Sequence, residues 1–163
     1  MVKTKLTDII PVDYPIIMAP MFLVSNTAMI KAALDAGITA AFPALNYRTD
    51  AEFRAAIDDI RAHTKQPFGV NLIVNKSNPK YKSQLTTCVE KKVDYIITSL
   101  GSPEECIRQC KPQGIKVICD VIDLKYALKV QEIGADAVIA VNSIAGGHAG
   151  HTPLEDLVPE LSK

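Results

Sequence analysis

Apolar residues in this chain gather in short, nearly unbroken runs: "PIIMAP" (15–20), "TAAFP" (39–43), "FGVNLIV" (68–74), "DYIITSL" (94–100), "KVICDVI" (116–122) and "ADAVIAV" (135–141). Runs without strict in–out alternation suit strands covered on both faces, as in parallel sheets. Between them the pattern changes to helical spacing. Phe53, Ala56, Ile57 and Ile60 fall at i, i+3, i+4 and i+7 and form one apolar stripe.

Helix start and stop signals agree with this spacing. Ser25 is positioned to cap "NTAMIKAALDA", and Gly37 follows its last turn. "TDAE" (49–52) is a capping box, in which Thr49 satisfies an orphan N–H and Glu52 reaches back. "SPEE" (102–105) repeats the device with Pro103 at the first helical position, and Gly134 ends "DLKYALKVQEIG". Six strands thus alternate with five helices at roughly 20–30-residue intervals, the size of a βα unit. The predicted class is α/β with a parallel sheet, because each helix must cross back before the next strand. A doubly wound sheet and a (β/α)₈ barrel both use this unit. No GxGxxG follows any strand, which weakens the dinucleotide-binding reading.

Composition narrows the function classes. The chain has 163 residues, 48% of them hydrophobic, with 18 basic against 18 acidic side chains and no Trp. A neutral, aromatic-poor chain of this length is one globular domain without the charge expected for nucleic acid or an anionic membrane. No apolar run spans a bilayer, and the N-terminal "MVKTKLTDII" does not read as a secretory signal, so a cytoplasmic protein is expected. Cys88, Cys106, Cys110 and Cys119 form no CxxC pair and read as reduced packing residues.

In either architecture, ligands collect at the carboxyl ends of the strands. The first run ends in "APM", where Met21 presents a thioether; spacing alone makes it a core residue. Asn71 sits inside an apolar strand, a costly place for an amide unless it is hydrogen-bonded, either to a neighbouring loop or to a ligand. Asp120 either caps a turn or meets a polar ligand. The sixth run opens into "IAGGHAGHTP" (144–153). Gly146 and Gly147 permit unusual backbone and close approach of a ligand, and His148 can gain or lose a proton near neutral pH. His148 and His151 lack the further ligands a zinc site needs, and His63 reads as a solvated helix end.

"PIIMAPM", "PFGVNL" (67–72), "GIKVICDV" (114–121) and "GADAVIAVNSIAGGHAG" (134–150) resemble, in order and over nearly the whole chain, the nitronate monooxygenase family. The resemblance implies a TIM barrel with FMN as cofactor. It places Ala19, Pro20, Met21 and Phe22 against the flavin, a hydrogen bond from Asn71 to it, and room for it at Gly146 and Gly147. His148 becomes the catalytic histidine beside the substrate. Asp120 falls at a flavin-contacting position where some family members carry a lysine. The flavin enoyl-acyl-carrier-protein reductases are close relatives, but they carry a glutamate shortly before AGGH, where this chain reads "VNSI" (141–144).

The expectation is therefore an incomplete barrel of about six of eight units, 1–163 forming the N-terminal part of one FMN-binding domain. Its substrates would be an alkyl nitronate or nitroalkane together with oxygen. The remainder of the barrel, or self-association, would cover its open edges. Two alternatives stand beside it: an NADH-dependent reductase of enoyl thioesters, and an inactive structural fragment.

Overall fold

The computed structural model describes residues 2–163. Six strands, β1 (Ile17–Met18), β2 (Thr39–Pro43), β3 (Gly69–Ile73), β4 (Tyr95–Ser99), β5 (Lys116–Val121) and β6 (Ala137–Ala140), form one sheet in the order β1-β2-β3-β4-β5-β6. Every adjacent pair is parallel. The sheet curls into an incomplete α/β barrel, as the alternation of runs predicts; β1 and β6 are its two edges.

Five helices cross between successive strands: α2 (Thr27–Asp35), α3 (Asp50–His63), α4 (Tyr81–Glu90), α5 (Glu104–Cys110) and α6 (Leu124–Ile133). Two more, α1 (Lys5–Ile9) and α7 (Leu154–Leu161), flank the repeats. Thr49 and Glu52 form the expected capping box on α3. Gly37 (φ +80°) follows α2, and Gly134 (φ +101°) caps α6, both in the left-handed region. The cap of α2 is Asn26, not Ser25: the Asn26 side chain accepts from Met29 N–H. Pro103 precedes α5 without a side-chain cap, so "SPEE" is not a second capping box.

Two buried layers follow from the sheet's two faces. Between sheet and helices lie Phe42, Phe53, Phe68, Ile57, Ile60, Leu72, Ile96 and the four cysteines. Phe42 stands edge-on to Phe53 at 6.1 Å and stacks on Phe68 at 6.4 Å, arrangements that add to area burial. All four cysteines are free and buried. Inside the curl, Ala41, Tyr95, Ile97 and Ile118 pack with Ile10 and Val12, so α1 and the segment after it plug the amino-terminal end of the strands. A Cβ on Gly69 would lie 2.2 Å from the Tyr95 ring; the glycine makes the space that this ring fills. Tyr95 Oη is tied to Thr39 Oγ1 at 3.0 Å, which donates to Pro67 O. With this end filled, the opposite, carboxyl end is free to carry ligands.

The βα repeat is visible in its joints as well. Asp94, just before β4, accepts from Phe68 N–H, and Asp136, just before β6, accepts from Val117 N–H. Each carboxylate ties the start of a strand to the chain beside it. No helix among the described residues is long and apolar enough to cross a membrane.

Candidate functional site at the carboxyl ends of the strands

Register places Asn71 beside Pro43 on β2 and Ile97 on β4, on the face that lines the curl. Asn71 is 8% exposed, and its Nδ2 donates to Ile97 O at 3.1 Å and to Ser99 Oγ at 2.8 Å. Ser99 in turn donates to Asp120 Oδ2 at 2.5 Å. The amide buried in an apolar strand is thus held by a directed polar chain across β3, β4 and β5. Burial pushes the Asp120 carboxyl above its ordinary range, and the Ser99 hydrogen bond opposes that shift. The structure therefore brings together two residues nominated from the sequence, Asn71 and Asp120, through a third, Ser99, which was missed. Ser99 ends an apolar run, and only the sheet register puts it between the other two.

The loop after β1 carries the "APM" segment. Ser25 is buried; its Oγ accepts from Met21 N–H at 2.9 Å. Asn46, in the short 3-10 turn after β2, accepts from Leu23 N–H and donates to Ser25 O, both at 2.8 Å. Leu23 is held at φ +60°, a conformation that costs an L residue about 1–2 kcal/mol. Leu100, just past β4, shows the same φ. Met21, Phe22, Leu23 and Val24 are exposed by 39%, 61%, 74% and 53%, so an immobilised loop presents four successive apolar side chains to solvent. Ala19 is exposed and Pro20 half-buried. Strain combined with unpacked apolar surface marks a segment shaped for something outside its own core. Asn46, and the part Ser25 plays in this loop, have no signal in the sequence, because a loop-clamping amide or hydroxyl has no periodic signature.

Beyond β6, the glycine loop is closed on itself. Ser143 N–H donates to Thr152 O, Gly150 N–H to Asn142 O, and Ile144 N–H to Asn142 Oδ1. His148 is exposed on this loop. The glycines differ in cause. Gly147 has φ +82°; Gly150 is buried, and a Cβ there would lie 2.2 Å from Val141 O. Gly146 has neither a positive φ nor any atom within 4 Å of an added Cβ. Unusual backbone therefore accounts for Gly147 alone, and nothing within the chain requires glycine at 146.

These features fit a flat, partly polar ring: exposed apolar surface at 21–24, an amide with a free oxygen at 71, and open space beside Gly146. The β1 and β6 loops stand on the two edge strands, with Asn71, Ser99 and Asp120 on strands between them. Two open clefts are present. One, of about 330 Å³, is at the plugged amino-terminal end near Ile10 and Lys92; the other, of about 850 Å³, lies at the carboxyl end, between the loops that follow β3 and β4, beside Asn75, Tyr81 and Arg108. Among the described residues no cluster of three or more His, Cys, Asp or Glu could hold a metal.

Comparison with known proteins agrees with the architecture. The chain is 33% identical to the structure of FabK from Thermotoga maritima, with a TM-score of 0.92 over 99% of this chain and 51% of that one. A nitroalkane oxidase from Streptomyces ansochromogenes is 25% identical, with a TM-score of 0.78 over 94% of this chain and 53% of that one. Among curated proteins, a (3aS,4S,5R,7aS)-5-hydroxy-7a-methyl-1-oxo-octahydro-1H-indene-4-carboxyl-CoA dehydrogenase of Mycobacterium tuberculosis is 28% identical over 98% of this chain and 44% of its own length. A probable nitronate monooxygenase of Staphylococcus aureus is 24% identical over 91% of this chain and 51% of its own. The chain thus spans about half the length of the relatives it matches. The family profile described as nitronate monooxygenase matches residues 3–162, and the chain belongs to that family.

Proposed function

We propose that these residues form the flavin- and substrate-facing part of an FMN-dependent oxidoreductase that oxidises alkyl nitronates or nitroalkanes with oxygen. The observation that carries the reading is Gly146, a glycine with no internal cause, beside His148 on a loop at the carboxyl end of the sheet. When bound, the flavin supplies a ring that accepts the substrate's electrons and hands them to oxygen. Asn71 binds that ring through its amide, and Ala19, Pro20, Met21 and Phe22 lie against it. Gly146 and Gly147 leave it room. A ring nitrogen of His148 takes the α-proton of a neutral nitroalkane, or the imidazole hydrogen-bonds the nitro oxygens of a nitronate. Asp120 acts behind Asn71 through Ser99. In this reading two further β/α units cover the edges at β1 and β6.

Replacing His148 by Ala tests the assignment of the proton. The expected outcome is a fall of about 10²–10⁴-fold in turnover of the neutral nitroalkane, with FMN affinity kept and turnover of the preformed nitronate less affected. Loss of FMN with unchanged activity per bound flavin contradicts that role. A second reading, an NADH-dependent reductase of enoyl thioesters, is favoured by the carboxyl-CoA dehydrogenase among the relatives. Rapid bleaching of bound flavin by NADH without nitronate selects it. A colourless protein that takes up no FMN selects an inactive structural fragment.

A further inference from the structure

The Asn71 amide has a fixed direction. Its Nδ2 lies 3.1 Å from Ile97 O, a carbonyl that can only accept. Turning the amide over would set oxygen against oxygen, so the orientation follows from the chemistry rather than from a choice between similar atoms. The second Nδ2 proton goes to Ser99 Oγ at 2.8 Å. Ser99 has a lone pair free for it because its own proton is spent on the Asp120 carboxylate, again an acceptor. Both amide protons are therefore used inside the protein. What remains is Oδ1, which has no protein partner. It is not sealed off either: among the described residues the buried side-chain atoms left without a partner are Tyr81 Oη and Thr87 Oγ1.

We propose that Ser99 and Asp120 are positioning residues that fix Asn71 as a one-way hydrogen-bond acceptor, so that this site selects a ring bearing an N–H donor. The inference rests on the flavin reading above, and it adds which atom of Asn71 binds and what holds it. An oxidised isoalloxazine ring carries one such group, its imide N–H between two carbonyls. Without Ser99 the amide keeps one anchor, at Ile97 O, and can swing. Without Asp120 the Ser99 proton is released, and the hydroxyl no longer offers its oxygen to Asn71 alone.

The test compares FMN with 3-methyl-FMN, which lacks that N–H, by titrating each into the purified protein and following flavin fluorescence. Wild-type protein should bind FMN about tenfold more tightly than the methylated form, the value of one hydrogen bond to a buried acceptor. Ser99→Ala and Asp120→Ala should bring the ratio towards one. Ser99→Thr, which keeps the hydroxyl, should retain it. Steric exclusion of the methyl group would survive Ser99→Ala, so an unchanged ratio in both alanine variants overturns the positioning role. Equal wild-type affinity for the two flavins overturns the inference and leaves the flavin reading standing. Uptake of neither flavin overturns the flavin reading and the inference with it.

Discussion

Gly146, Gly147 and Gly150 share one loop but are glycine for different reasons. Gly150 is a packing requirement, since an added Cβ would press on Val141 O at 2.2 Å and meet Ile122 Cγ2 at 3.5 Å. Backbone cannot yield as a side-chain tip can, so Gly150→Ala should cost about 1–3 kcal/mol in denaturant unfolding. Gly146→Ala meets nothing and should stay within about 0.5 kcal/mol of wild type or gain slightly from a less flexible unfolded chain. Equal losses at the two positions would remove the distinction. The sequence made the glycine cluster visible but could not sort it. Gly150 answers to a contact with Val141 and Ile122 that exists only after folding, and the missing cause at Gly146 is evident only against those neighbours.

At the scale of elements, β3, β4 and β5 are joined on the inner face by the Asn71–Ser99–Asp120 chain, and the Asp120 carboxyl titrates there against burial. Its folded pKa lies above the unfolded value, so the folded state holds the proton more tightly. Stability from this group is complete below the unfolded carboxylate range and declines as pH rises through the folded value. Asp120→Asn removes the charge and keeps an oxygen for Ser99, so it should stabilise the protein at neutral pH. That advantage should vanish in acid, as melting temperatures measured from acidic to neutral pH would register. A gain independent of pH, or a loss at neutral pH, contradicts this.

The strands themselves were legible, since all six lie within the apolar runs, and in β2 to β5 burial on both faces leaves that signal in the residues directly. Local chemistry was less so. Ser25 stands next to the true cap, Asn26, and instead holds Met21 N–H, a choice between neighbouring hydroxyl and amide that the loop geometry makes. α1 escaped because its apolar residues, Leu6 and Ile9, answer with the following Ile10 to the inside of the curl rather than to a long stripe of their own. The polar chain could be read only in part: Asn71 and Asp120 stand out against apolar neighbours, while Ser99 gains its meaning from register.

For the whole molecule, the sheet of these residues ends at β1 on one side and β6 on the other, and both edges leave backbone groups unpaired. Val138 on β6 and Val158 on α7 are exposed by 39% and 42%, which adds apolar surface beside that edge. A chain of these 163 residues by itself should therefore associate with rising concentration, and light scattering should give a mass above 17.7 kDa. A concentration-independent monomer would show that the edges protect themselves.

In the proposed function the carboxyl end of this sheet holds a flavin ring that the glycine loop admits. An FMN titration of wild type beside Gly146→Val, with melting temperatures recorded for both, tests it most directly. Wild type should bind FMN saturably, and the variant about tenfold or more weakly while its melting temperature stays near the wild-type value. Equal affinity in the two proteins, or no binding by a folded wild type, would contradict it.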